Sequence, residues 1–189
     1  DFLGTPTQIS DQSTIAPQEI TVSSMLYSSV IELREAIMRL TDKVTIITGG
    51  GHGLGKAYAR RFAAEGAQVV IADIDADAGD STAQELTRAG ERSWAYATDV
   101  TKYDSIERLV AETLDRFGQI DVLLNNAAIY VTQKMWMGRV EDCPLDEWDR
   151  VIEVNLKGVF MCCRAIIPIM KRQKSGKIIN IASGTFLNG

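Results

Sequence analysis

The pattern of hydrophobic and polar positions changes near residue 43. Before it, apolar residues recur every three or four positions, as on one face of a helix, at Leu26, Val30, Leu33, Ile37 and Leu40. Residues 1–24 are rich in Ser, Thr, Gln and Pro and show no sustained period. We therefore expect residues 1–37 to form an N-terminal extension, an irregular arm followed by a helix, and residues 38–189 to form the main domain.

Short apolar runs alternate with amphipathic stretches from residue 43 onward. Five of these runs predict β-strands, at residues 44–47, 69–72, 93–98, 122–124 and 178–181. Each gap is long enough for a crossover helix, and the nearly continuous apolar runs suit strands that are covered on both faces. The sequence therefore predicts an α/β fold, with a doubly wound parallel sheet of the Rossmann type in three αβα layers.

Composition and charge narrow the classes of function. The formal net charge is −5, which gives no electrostatic footprint for nucleic acid or anionic lipid, and no apolar stretch approaches the length of a membrane span. Three cysteines, two of them adjacent, indicate neither a disulfide framework nor a metal-ligand spacing. We expect a cytoplasmic protein that acts on small molecules without a metal ion.

A glycine-rich turn joins the first predicted strand to the next helical stretch. It runs from Thr48 to Gly55, and the helical pattern begins at Lys56. Glycines let the backbone approach a pyrophosphate closely, and the N–H groups of a new helix favour negative charge. The spacing Gly-x3-Gly-x-Gly departs from the common G-x-G-x-x-G pattern. Taken alone, a glycine-rich turn can also simply connect a strand to a helix without binding a ligand. Its candidate cofactor contacts are Gly49, Gly51, His52, Gly53 and Leu54.

Asp73 and Ile74 follow the second predicted strand and indicate which dinucleotide would bind. Asp73 lies 18 positions after Gly55, where a carboxylate accepts hydrogen bonds from ribose hydroxyls and repels a 2′-phosphate. Ile74 stands where an NADP enzyme usually carries Arg or Lys. The sequence therefore favours NAD. His52, the single histidine, is interpreted as a surface turn residue rather than a catalytic base.

Further motifs resemble those of one family. The stretch Thr48–Gly55 resembles the TGxxxGxG motif of the short-chain dehydrogenase/reductase family. Asp99 and Val100 resemble the pair that flanks the adenine in that family, and Asn125–Ala128 resembles its NNAG motif, with Ala128 in place of glycine. The resemblance implies that Asp99, Val100, Asn126, Ala127 and Ala128 contact the cofactor.

Two later residues match the catalytic positions of the same family. Asn155 resembles the helical Asn that helps to hold a water in a proton relay, and Ser183 resembles the Ser that hydrogen-bonds the substrate oxygen. Each also has a structural interpretation, as a satisfied polar residue within a helix and as an ordinary turn residue. Their order behind the other motifs favours the catalytic interpretation.

The acid/base pair of the family has no counterpart at the expected place. A Tyr, with a Lys four positions later, would lie on the helix after Ser183, and the chain ends at Gly189. The sequence Tyr130–Lys134 has this spacing but precedes Asn155 and Ser183, so we interpret it as coincidence. We expect a fold that is incomplete at its C-terminal side. Two hypotheses stay open: an NAD-dependent oxidoreductase acting on an alcohol or ketone, and a non-catalytic NAD-binding or scaffolding module.

Two segments bear on substrate and assembly. The loop 129–142 contains Met135, Trp136 and Met137, which either form an apolar wall of a substrate site or anchor the loop on the core. The predicted helix 145–171 resembles the subunit-contact helix of the family, which implies a homo-oligomer. Its apolar residues include Trp148, Val151, Ile152, Val159 and Phe160.

Overall fold

A computed structural model describes residues 38–129 and 139–183. The predicted extension of residues 1–37 lies outside the described residues. So do Tyr130, the apolar segment 135–137 and the last six residues of the chain. Within the described part, no helix is long and apolar enough to cross a membrane.

The described strands form one parallel sheet. They are β1 (Val44–Thr48), β2 (Gln68–Asp73), β3 (Ser93–Ala97), β4 (Val122–Asn125) and β5 (Lys177–Asn180). Their spatial order is β3-β2-β1-β4-β5, and every neighbouring pair is parallel. The direction of winding reverses between β1 and β4, which opens a crevice at the carboxyl ends of these strands. The doubly wound Rossmann-type architecture predicted from the sequence is confirmed.

Helices follow the strands in the expected alternation. They are α1 (Gly53–Ala64), α2 (Ala76–Arg88), α3 (Tyr103–Phe117), α4 (Leu145–Ile152) and α5 (Val159–Gln173), with a short 3-10 turn at Val140–Asp142. Helix α1 begins three residues earlier than the sequence pattern indicated, so the last glycines of the loop belong to its first turn. A π-helical segment, Glu153–Gly158, joins α4 to α5 within the helix predicted over residues 145–171.

Alternate residues of the central strands enter two separate cores. In β2, Val69 and Ile71 face α1 and α2, where the small residues Ala59 and Ala83 allow close packing. Val70 faces the opposite layer, which α3 and α5 build from Ile106, Leu109, Met161, Ile166 and Ile169. Each fully buried aliphatic side chain contributes roughly 1.5–3 kcal/mol to folding. Burial on both faces explains why the central strands are almost continuously apolar.

The two outer strands are less buried than the central ones. Residues of β3 are mostly half-buried and those of β5 mostly exposed, whereas β1 is buried throughout. Trp94 on β3 packs against Phe117, with ring centroids 6.2 Å apart. The guanidinium of Arg116 lies 5.3 Å from the Trp94 ring, a cation–π contact that covers this edge of the sheet.

Candidate functional site

A cavity of about 830 Å³ lies at the carboxyl ends of the central strands. Loops after β1, β2, β3 and β4 form its walls, and α4 with the following π-helical segment closes one side. Eleven of the twelve predicted cofactor residues line it: Gly49, His52, Gly53, Leu54, Asp73, Ile74, Asp99, Val100, Asn126, Ala127 and Ala128. The twelfth, Gly51, lies behind this wall.

The glycine-rich loop is tied to the loop after β4. A Cβ atom on Gly55 would overlap the carbonyl oxygen of Gly49, so this turn accepts no side chain there. The Asn126 amide donates to Thr48 O at 3.0 Å and to Gly49 O at 3.1 Å. Thr48 Oγ1 in turn accepts from the backbone N–H groups of Asn126 and Ala127, both at 3.0 Å. These bonds fix the loop on which the N-terminus of α1 depends.

Asp73 is held in one orientation by two backbone groups. Its Oδ2 accepts from Gly51 N at 2.8 Å and its Oδ1 accepts from Asp75 N at 3.0 Å. A Cβ atom on Gly51 would lie 2.9 Å from both Asp73 Oδ2 and the Ala78 Cβ. The other side of Gly51 is fixed by Thr82 Oγ1, which donates to its carbonyl oxygen at 3.2 Å. Gly51 therefore positions the carboxylate without lining the cavity.

His52 and Asp75 make a second contact between the same two segments. His52 Nε2 lies 3.1 Å from Asp75 Oδ2, and both side chains are at least half exposed. Asp75 also caps α2, because its Oδ1 accepts from Ala78 N at 3.0 Å. The hydrogen bond from Ala78, followed by that from His52, holds the pKa of the Asp75 carboxyl below its ordinary value.

The third loop contributes Asp99 and Val100 to the opposite wall. Asp99 Oδ1 accepts from Thr101 N at 2.9 Å and from Thr101 Oγ1 at 2.7 Å, which keeps the turn compact. Val100 is mostly buried. It packs so closely on Gly158 that a Cβ there would lie 3.0 Å from its side chain. Glycine at position 158 thus allows the helical segment to approach this wall.

Sequence reasoning missed part of the lining. The cavity is also lined by Thr98 and Thr101 beside the third loop, and by Arg150, Glu153 and Val154 from the helical segment. The last three have the spacing i, i+3 and i+4, so they share one face of a helix. This spacing could have grouped them, but only the packed structure shows that their face meets the cavity.

Asn155 and Ser183, the two predicted catalytic residues, do not line the cavity. Asn155 lies in the π-helical segment and binds the loop after β4, accepting from Ile129 N at 2.9 Å and donating to Ile129 O at 3.0 Å. Ser183 is exposed and lies three residues beyond β5. Because β4 and β5 are parallel neighbours, Ser183 and Ile129 follow strands at the same edge of the sheet.

The family model described as short chain dehydrogenase matches residues 43–189. The chain belongs to the short-chain dehydrogenase family. Among its relatives, the chain is 40% identical over 152 residues to meso-2,3-butanediol dehydrogenase of Serratia marcescens. That alignment covers 80% of the chain and 57% of the relative. The chain thus spans less than two thirds of the length of this short-chain dehydrogenase.

Solved structures give the same family assignment. A metagenomic short-chain oxidoreductase in complex with NADP is 34% identical, with a TM-score of 0.71 over 76% of this chain and 63% of that one. An NAD⁺-bound xylitol dehydrogenase is 30% identical, with a TM-score of 0.74 over 80% of this chain and 56% of that one. Family members of this fold therefore bind either nicotinamide dinucleotide.

Proposed function

We propose that this short-chain dehydrogenase binds NAD in the cavity, with Asp73 as the residue that selects NAD over NADP. One observation carries the proposal: Asp73 reaches the cavity wall with its carboxylate fixed by Gly51 N and Asp75 N. A fixed carboxylate accepts hydrogen bonds from ribose hydroxyls and repels a 2′-phosphate. Ile74 beside it supplies no compensating positive charge.

The remaining wall residues fit the other parts of a dinucleotide. A Cβ on Gly55 would overlap the carbonyl oxygen of Gly49, so glycine keeps this turn tight, and Gly53 at the start of α1 lines the cavity with open space at its Cβ position, where a pyrophosphate can approach the N-terminus of the helix. Val100 offers an apolar surface beside Asp99 for an adenine. The donors, the carboxylate and the apolar surface are distributed as such a ligand requires.

We infer that the whole protein is an oxidoreductase acting on an alcohol or ketone. The chemistry that the cofactor supplies when bound is hydride transfer to or from carbon. Ser183 is proposed to donate a hydrogen bond to the substrate oxygen. Asn155 is proposed to position the substrate end of the site through its two bonds to Ile129.

The cysteines support the proposal of a reducing, cytoplasmic environment. Cys143, Cys162 and Cys163 are all free thiols. Burial raises the pKa of the Cys162 thiol to about 12, so this group stays protonated inside the core. Secreted proteins tend to use their cysteines in disulfides instead.

Direct binding measurements test the cofactor assignment. We expect the chain to bind NADH at least about tenfold more tightly than NADPH, a difference of roughly 1.4 kcal/mol. Asp73→Ser should weaken NADH binding and remove most of the preference. Asp80→Ser is the matched control, because Asp80 lies exposed on α2 and outside the cavity. Tighter binding of NADPH than NADH by the unaltered chain would contradict the proposal.

A further inference from the structure

We propose that Asp75 is a second determinant of cofactor choice, acting as a positioning residue that pairs His52 and withholds its positive charge from a 2′-phosphate. The inference rests on the proposed binding of a nicotinamide dinucleotide beside Asp73. It concerns a different pair of side chains, whose contact is 3.1 Å from His52 Nε2 to Asp75 Oδ2. Neither the carboxylate of Asp73 nor the glycine spacing predicts this contact.

Two basic side chains line the cavity, and His52 is the one nearer to Asp73 in the sequence. Among the lining residues, His52 and Arg150 are the two that can carry a positive charge, and His52 belongs to the loop that binds Asp73. Lys56, one helical turn after His52, is already bound to Glu85 at 2.9 Å. A phosphate on the ribose beside Asp73 would therefore find its counter-charge in the imidazole.

The pairing removes that counter-charge in two ways. Asp75 Oδ2 lies within hydrogen-bond distance of His52 Nε2, so this nitrogen is not available to a phosphate. The carboxylate also offsets the charge of a protonated ring. The pKa of Asp75 is held low, chiefly by the Ala78 N–H and then by His52, so the carboxylate stays charged in mildly acidic solution. The result is a pair without net positive charge beside the negative Asp73, which disfavours a second negative group.

The charged groups around the pair come from three elements. Asp73 ends β2, Asp77 lies in the first turn of α2, and Lys56 with its partner Glu85 bridges α1 and α2. The two aspartates reinforce the repulsion of a phosphate, whereas Glu85 binds both Lys56 and Arg60 of α1.

The substitution Asp75→Asn separates the charge of Asp75 from its role as the N-cap of α2. Asparagine is as good a helix N-cap as aspartate, so α2 keeps its cap while the negative charge is lost. Histidine gains its proton as the pH falls from 8 to 6. The freed imidazolium should then attract the 2′-phosphate at pH 6 but hardly at pH 8.

The experiment compares NADH and NADPH dissociation constants at pH 6 and pH 8. It uses the full chain and its variants Asp75→Asn, His52→Gln and the double substitution, with Asp77→Asn as a matched loss of charge. We expect Asp75→Asn to improve the NADPH-to-NADH affinity ratio about fivefold at pH 6, as for one exposed charge pair. At pH 8 the gain should shrink to the one that Asp77→Asn gives by loss of charge alone, and neither the double variant nor Asp77→Asn should show a pH-dependent gain.

Each other outcome overturns the inference. A gain of equal size at both pH values, or the full gain at pH 6 in the double variant, would mean that loss of charge alone acts without His52. An unchanged ratio in Asp75→Asn, while the unaltered chain still prefers NADH, would leave the role of Asp73 intact and remove that of Asp75. Binding of neither cofactor by the unaltered chain would overturn the proposed function together with this inference.

Discussion

At the residue scale, two buried threonines of β1 differ in the hydrogen bonding of their hydroxyl groups. Thr45 is fully buried, and its hydroxyl finds no hydrogen-bond partner within the described part of the chain. Thr48 is also buried, but its hydroxyl contacts Leu124 O and accepts from the N–H groups of Asn126 and Ala127. One hydroxyl therefore opposes folding, whereas the other ties the loop after β4 to β1.

Replacing these threonines by valine should have opposite effects. Thr45→Val removes an unsatisfied buried hydroxyl while keeping the side-chain shape, so we expect the free energy of unfolding to rise by about 1 kcal/mol. Thr48→Val leaves two N–H groups without their acceptor and should lower it by about 1–3 kcal/mol. Urea unfolding of both variants measures this, and stabilisation by Thr48→Val would contradict the bonding described for the loop.

Gly51 and Gly79 provide a second matched pair of substitutions. Gly51→Ala places a Cβ 2.9 Å from Asp73 Oδ2 and should displace the carboxylate, weakening NADH binding by roughly tenfold. Gly79 lies inside α2, where a Cβ would meet its nearest neighbour, Ala95 Cβ, at 3.6 Å. Gly79→Ala should therefore raise stability by about 0.5–1 kcal/mol and leave NADH affinity unchanged. Equal NADH affinities in the two variants would argue against Gly51 as a positioning residue.

At the scale of elements, α1 and α2 are joined by ion pairs around one carboxylate. Glu85 on α2 receives Lys56 Nζ at 2.9 Å and Arg60 Nε at 2.6 Å, both from α1. The hydrogen bond from Arg60, then that from Lys56, lowers the pKa of Glu85 to about 2. These contacts hold α2 against α1, whose N-terminal residues line the cavity.

The low pKa of Glu85 predicts how stability depends on pH. Its pKa is lower in the folded chain than in the unfolded one, so its stabilising effect is complete above the ordinary range of glutamate. The effect is lost as the pH falls from there through about 2. Glu85→Gln should lower the melting temperature at pH 7 and reduce its decline toward pH 2. Glu112→Gln, on α3 and outside this network, serves as the control in a series of melting curves; an equal response would contradict the assignment.

At the scale of the whole molecule, one helical face is apolar and exposed. The side chains recur every three or four positions and include Leu145, Trp148, Ile152, Leu156 and Phe160. Phe160 is 60% exposed and Trp148 55%. An exposed apolar stripe of this length is typical of a protein–protein contact. We therefore keep the prediction of a homo-oligomer, with a second copy of the chain covering this face.

Light scattering behind size-exclusion chromatography tests the prediction. We expect the chain to elute as a dimer or larger assembly, and Phe160→Glu to shift it toward the monomer, because burying a carboxylate in an apolar contact is costly. Arg88→Gln is the control, since it changes the net charge by the same amount at an exposed site on α2, away from the stripe. A monomeric unaltered chain would show this prediction to be wrong.

The strands and the glycine-rich turn could be predicted from the sequence because they depend on local chemistry. Apolar runs such as 69–72 are continuous since both faces of a central strand are buried, and the turn at 49–55 needs glycine for close backbone approach. Asp73 was found for the same reason, because its place at the end of a strand is visible in the sequence. The catalytic roles of Asn155 and Ser183 remain predictions.

Only the tertiary structure decided how distant segments meet. Gly51 binds Asp73 and His52 binds Asp75 across more than twenty residues, because β1 and β2 lie side by side and bring their following loops together. Arg150 lines the cavity because its helical segment packs against the loop after β3, where Gly158 closely approaches Val100. Periodicity and composition determined the elements of this protein and their order. The contacts that orient the residues of its cavity depend on packing between segments far apart in the chain, which no local pattern encodes.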